Sequence, residues 1–112
     1  MNVKAGTAFS VLYRWRLHPG KEEQFVQAWT RISYLLRDER GSLGSRLHRG
    51  EDNIWYSYAQ WPSEEKRRLA FSMPALDAEA GLKMREAIAE SFPEIVLKSV
   101  SDLMLAVTEN DA

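Results

Sequence analysis

The sequence predicts an α+β domain: one antiparallel four-stranded sheet with its helices on one face, in the order β-α-β-β-α-α-β. Three observations predict it. Residues 8–17 alternate strictly between two faces, the period-two signature of a strand. Residues 54–61, Ile-Trp-Tyr-Ser-Tyr-Ala-Gln-Trp, are the aromatic-rich run of a second strand. Between and after them, apolar residues recur at helical spacing over Glu22–Arg40 and again after Pro74.

In the first strand, Phe9, Val11, Tyr13, Trp15 and Leu17 share one face, and Ser10, Leu12, Arg14 and Arg16 the other. His18-Pro19-Gly20 ends it, because proline and glycine punctuate. The helix over Glu22–Arg40 aligns Phe25, Trp29, Ile32, Leu35 and Leu36. Glu22 and Glu23 near its start and Arg37 and Arg40 near its end suit the helix dipole. Gly41 is its natural stop. Residues 42–49 form a weaker strand containing Gly44, and Gly50-Glu51-Asp52-Asn53 a hairpin turn. After the strand at 54–61, Ser63 caps a short helix with Glu64 and Glu65 in its first turn. Pro74 interrupts it. The next helix runs to about Ser91, with Leu76, Ala80, Met84, Ala87 and Ile88 on one face, and Pro93 ends it. A last strand lies within residues 94–107, around Ile95, Val96, Leu97, Val100, Leu103, Leu105 and Val107. Thr108–Ala112 reads as a polar, frayed tail.

The second and third strands form a tight hairpin. The other connections are helical crossovers long enough to join parallel strands in a split β-α-β arrangement. Right-handed crossovers place every helix on one side. The result is a ferredoxin-like α+β sandwich, a single domain over residues 1–112 with an ordered core at about residues 8–107.

Composition excludes several function classes. At 112 residues, 45% hydrophobic and 28% charged, the chain is one globular domain rather than a disordered one. A net charge of −1 offers no basic field for nucleic acid and no polybasic tract for a membrane. No apolar run approaches the roughly 20 residues that span a bilayer, and Met1–Thr7 lacks a signal peptide's apolar stretch. A cytoplasmic protein without nucleic-acid or membrane partners is expected.

The absence of cysteine excludes disulfides, thiolate metal sites and a cysteine nucleophile. His18 lies in a Pro-Gly turn and His48 stands alone in a strand, so no metal is expected. No dinucleotide fingerprint occurs, so no cofactor is expected. Gly41-Ser42-Leu43-Gly44 is no phosphate loop, since no helix start follows it. Glu64-Glu65 reads as helix-start electrostatics and Arg67-Arg68 as a solvated pair. No serine has a histidine and an acid around it, so a hydrolase is not supported.

If the Phe9–Val11–Tyr13–Trp15 face meets the helices, the opposite face offers Leu12, Arg14, Arg16, Arg46, His48, Tyr56 and Tyr58. Arginine with tyrosine is interface composition. A homodimer through Arg14, Arg46, His48, Tyr56 and Tyr58 is expected, against a competing reading as a wet sheet of amphipathic side chains.

Under the helices, parity groups Tyr13 and Trp15 with Ser57 and Ala59, which are bracketed by Trp55 and Trp61. Small residues between large aromatics leave volume. Helix residues such as Trp29, Ile32, Leu36 and Met84 either fill it or close over a small apolar or aromatic ligand. The Tyr13 hydroxyl, the Trp61 indole N–H and Tyr34 would supply polar tips. The substrate-binding candidates are therefore Trp15, Trp29, Tyr34, Ser57, Ala59 and Met84; the alternative is that the aromatics are simply core.

Four stretches carry a family likeness: Tyr13-Arg-Trp-Arg-Leu-His-Pro-Gly-Lys21, Glu22–Trp29, Arg40-Gly-Ser-Leu-Gly-Ser-Arg-Leu-His48 and Tyr58-Ala-Gln-Trp-Pro-Ser63. Over nearly the whole chain they resemble the antibiotic biosynthesis monooxygenase (ABM) family of the dimeric α+β barrel superfamily. The resemblance implies a homodimer whose sheets combine into a barrel with helices outside. It also implies oxidation of phenolic polyketides with O₂ and without metal or flavin. The substrate forms an enolate that reacts with oxygen, while the protein supplies a dry pocket, orientation and charge stabilisation. Trp61 matches a strand-ending tryptophan of such pockets, and with Tyr13 it is the catalytic candidate. Haem-degrading relatives use an Asn, a Trp and a His. Here the Asn position falls on Tyr13 and the helix after Trp61 has no histidine, so that activity ranks last. Because one fold hosts many functions, the alternative is a non-catalytic dimeric ligand-binding or regulatory module.

Overall fold

The computed structural model describes residues 9–105. Its elements are β1 (Phe9–Leu17), α1 (Glu22–Glu39), β2 (Gly44–Arg49), β3 (Trp55–Trp61), α2 (Glu64–Ser72), α3 (Ala78–Ala87), β4 (Ile88–Ser91) and β5 (Ile95–Lys98). The readings of Met1–Thr7, Val107 and the Thr108–Ala112 tail fall outside the described residues.

Every ladder is antiparallel. The order is β2-β3-β1-β4, with β5 also on β1. β1 and β2, joined through α1, run parallel with β3 between them, which is the split arrangement of a ferredoxin-like sheet. Burial alternates along β3, with Trp55, Ser57, Ala59 and Trp61 buried and the residues between them half-buried.

The sheet has five strands rather than four, because two short strands share its outer lane. β5 pairs with Phe9–Leu12 and β4 with Trp15–Leu17. Residues 88–91, expected to finish a helix, leave it at Ala87 and pair with β1 through Leu17 opposite Ile88 and Trp15 opposite Ser91. His18 N–H donates to Ala87 O at 2.9 Å where the chain changes course. The pairing satisfies an edge of β1 that would otherwise expose its backbone groups, and that gain overrides the helical spacing. β5 stops at Lys98, opposite Phe9, the first described residue of β1. Residues 99–105 therefore form no strand, and Val100 and Leu103 are exposed.

Local signals explain the connections. Gly41, at φ 84°, lets Ser42 N–H reach back to Leu36 O at 3.1 Å and close α1. In the hairpin, Gly50 is required for space: a Cβ there would lie 2.6 Å from Asp52 Oδ1 and 2.7 Å from a Tyr56 ring carbon. Ser63 caps α2 by accepting from Lys66 N–H at 3.1 Å. The core has two centres. Trp15, Leu17, Phe25, Trp55 and Ala87 form one; Phe9, Val11, Trp61 and Ala70 form the other; Tyr13 packs against both. No helix among the described residues is long and apolar enough to cross a membrane.

Candidate functional site

Between the helix-facing side of the sheet and the helices lies a predominantly apolar cavity of about 210 Å³. β1 brings Tyr13 and Trp15 to its wall, β3 brings Ser57, Ala59 and Trp61, α1 brings Trp29 and α3 brings Met84. Parity explains the sheet residues: Tyr13 sits opposite Ser57, so a bulky phenol faces a small hydroxyl. Trp29 Nε1–H donates to Ser57 Oγ at 3.0 Å and ties α1 to the floor. The Tyr13 and Trp15 rings stack at 6.0 Å and 8°.

Tyr34 does not join them. The residue is 55% exposed, and its ring lies under the Arg37 guanidinium at 4.5 Å. Five residues after Trp29, it points about 140° around the helix from the buried stripe.

Two donors distinguish the cavity from plain core. Trp61 is 1% exposed, and its indole Nε1–H has no hydrogen-bond partner among the described residues. A buried donor left unmade costs about 1–3 kcal/mol. The second donor is the Tyr13 hydroxyl. Burial pushes its pKa above the ordinary tyrosine value, with Arg67 pulling partly back, so the phenol stays neutral and keeps its proton.

Arg67 is the residue that sequence reasoning missed. It is not a solvated partner of Arg68. Arg68 is exposed and pairs with Glu64 at 3.6 Å, whereas the Arg67 side chain is only 18% exposed. Arg67 Nε–H donates to the Tyr13 hydroxyl oxygen at 3.1 Å and Nη2–H to Glu94 Oε2 at 2.6 Å. Burial works against its charge, yet those two bonds outweigh it and raise its pKa. Its guanidinium also lies over the Tyr13 and Phe71 rings, 5.7 Å from each. The available signal was spacing: Ser63 as N-cap puts Arg67 and Phe71, four apart, on one face of α2. Phe71 borders the cavity and meets Trp61 edge-on at 5.8 Å. Ser33, Ser42 and Ser45, also unforeseen, complete the rim.

Chemically, an apolar chamber with two neutral donors suits negative charge developing on a ligand oxygen. Among the described residues, Tyr13 is the only titratable side chain on its wall. Among the described residues no three His, Cys, Asp or Glu side chains cluster as metal ligands do.

On the opposite sheet face, register aligns Arg14 with Tyr56, Arg46 with Tyr58 and His48 with Tyr56. Arg14 Nη2–H donates to Pro93 O at 3.1 Å, while its buried Nε–H has no partner among the described residues. Tyr56 donates to Asp52 Oδ2 at 2.8 Å, and the Ser10 and Tyr58 hydroxyls lie 3.0 Å apart.

Solved structures share this architecture. SnoaB, a cofactor-independent oxygenase from Streptomyces nogalater, superposes with a TM-score of 0.72 at 17% identity, over 87% of this chain and 97% of that one. Rv0793 from Mycobacterium tuberculosis gives 0.69 at 13% identity, over 87% and 99%. A conserved protein from Methanosarcina mazei gives 0.70 at 13% identity, over 85% and 95%. At such identities the likeness speaks for the fold. No curated protein sequence matches the chain. The family model for antibiotic biosynthesis monooxygenase matches residues 8–73, from the first strand through the last residues of α2, and so includes Tyr13, Trp61 and Arg67. The chain belongs to the antibiotic biosynthesis monooxygenase family.

Proposed function

We propose that the chain is a cofactor-independent monooxygenase that oxidises a small phenolic, polyketide-type aromatic with O₂. The observation that carries this reading is the buried, unpartnered Trp61 indole N–H on the wall of an apolar cavity. Family membership and the oxygenase SnoaB support it.

A ring-activated CH₂ next to a phenol or carbonyl loses a proton to solvent and becomes an enolate. Trp61 N–H and Tyr13 O–H hold the enolate oxygen, which lowers the cost of forming it in a dry site. The carbon then gives its electron pair to O₂, and the peroxide anion so formed takes a proton back from solvent to become a hydroperoxide. Loss of water leaves a carbonyl. One oxygen atom stays in the product, the other leaves as water, and O₂ is the sole oxidant. The enolate supplies the electrons, so the cycle needs neither metal nor flavin.

The working unit in this reading is a homodimer closed through the Arg14–Tyr56–Tyr58 sheet face, where paired arginine and tyrosine side chains have interface composition.

The test is oxygen uptake with a hydroxylated anthrone in chelator-treated buffer under ¹⁸O₂. The expected product carries one labelled oxygen. Saturable binding of the anthrone with no oxygen uptake would overturn the reading in favour of a non-catalytic ligand-binding module.

A further inference from the structure

A second cavity, about 230 Å³, lies among α1, α2, α3 and the 73–77 connection. Ala75, Leu76 and Gly81 are among the residues that border it and not the Trp61 cavity, whereas Ile32, Leu36 and Phe71 line both. We propose that the two cavities are one binding site. Its ligand is then an amphiphilic aromatic, with a hydroxylated ring at Tyr13 and Trp61 and an apolar extension between the helices. The placement of the ring rests on the proposed function; the tail site does not.

Size argues for the join. A cavity of about 150 Å³ takes a benzene ring, so 210 Å³ admits one ring with small substituents. Sites for larger organic ligands begin at about 300 Å³. Each cavity alone falls short of that, and the two joined pass it.

The shared wall is also weak. Ile32 and Leu36 are half-buried, and Phe71, on the last turn of α2, is 55% exposed. A rotamer change at Phe71 needs no core to be rebuilt.

Polarity sets the ligand's direction. In the second cavity the polar groups are already matched. Arg40 donates to Ala70 O at 3.0 Å and Pro74 O at 2.9 Å. Asp77 accepts from Ala80 N–H at 2.9 Å and Arg31 Nε–H at 3.2 Å. The unpartnered donor is in the Trp61 cavity, so the hydroxylated end belongs there and the apolar end between the helices.

Calorimetry with phenol, 4-propylphenol and 4-hexylphenol on the full chain, without O₂, tests this. Affinity is expected to rise up to about fourfold per methylene, the value of burying each one. Two variants narrow only the second cavity. In Gly81→Leu the new Cβ meets only the flexible end of Arg85, at 3.3 Å; in Ala75→Phe the site is exposed. Both should cut the hexylphenol gain at least tenfold and leave phenol binding unchanged. A flat series, or a gain that neither variant touches, would overturn the proposal. The series is read by binding alone. Its failure alongside labelled oxygen incorporation sinks only the tail site, and its success without oxygen uptake sinks only the monooxygenase.

Discussion

The Arg67 Nε–H donates to the Tyr13 hydroxyl oxygen at 3.1 Å, and so binds α2 to β1 beside the cavity. Because Arg67 fills an acceptor position, the phenol's own proton is left for a ligand. Burial raises the Tyr13 pKa more than Arg67 lowers it. A raised acid favours the folded state while neutral. Its stabilisation is full below tyrosine's usual value and is lost as pH rises through the higher folded value. Unfolding midpoints followed from about pH 9 to 11 should fall in the native protein and fall less in Tyr13→Phe. Arg67→Gln removes the lowering influence, so tyrosinate absorbance of Tyr13 should appear at still higher pH. A Tyr13 that ionises at or below the ordinary tyrosine value would contradict this.

Trp61→Phe separates the indole donor from the ring. Lost packing is offset by removing a buried donor whose neglect costs about 1–3 kcal/mol, so the unfolding free energy should change little. Phenolic ligands lose one hydrogen bond, worth about 0.5–1.5 kcal/mol, and should bind about two- to tenfold more weakly. Unchanged affinity would remove Trp61 from the site.

In solution the chain should be a dimer of 12.9 kDa subunits, closed over the Arg14 face. An interface of roughly 1,600 Å² or more is expected. Arg14→Glu should shift light scattering towards the monomer and leave far-ultraviolet circular dichroism unchanged. A native protein that scatters as a monomer at all concentrations refutes the assembly.

Ser63→Ala should cost about 1 kcal/mol as a lost N-cap. Since α2 presents Arg67, the same variant should loosen the Tyr13 contact and raise the tyrosine's titration further. Thermal unfolding and tyrosinate absorbance check the two effects together.

Legibility followed the range of the interactions. β1 and β3 were readable because one face is buried and period-two alternation records it directly. The wall residues Tyr13, Ser57, Ala59 and Trp61 inherit their positions from that parity. Residues 88–91 were misread because Ala80, Met84, Ala87 and Ile88 do fit a helix. The pairing of Ile88 with Leu17 that overrides it spans most of the chain. Arg67 was misread for the same reason. Its burial depends on Tyr13 and Glu94, 54 and 27 residues away; the four-residue spacing to Phe71 marks a shared face of α2 but not what that face meets. Tyr34 is the opposite error: an aromatic beside the right stripe, but turned off it by helix geometry.

Ala59 gives the sharpest test of whether the space at Trp61 is a site. The residue is 8% exposed and sits between Ser57 and Trp61 on the cavity wall. Ala59→Leu adds three carbons towards that void. In open space the new side chain gains burial and strains nothing, so stability should hold or rise. The ligand loses its room, so phenolic binding and oxygen uptake should fall at least tenfold. In a close-packed region the same change would cost about 1–3 kcal/mol. Ala87→Leu supplies that comparison. Ala87 is 0% exposed, packs in the cluster of Trp15, Phe25 and Trp55, and borders neither cavity. It should lose about 1–3 kcal/mol by overpacking. Denaturant unfolding of the two variants side by side decides the matter: equal destabilisation would mean that the Ala59 region is solid core, and the binding site would have to lie elsewhere.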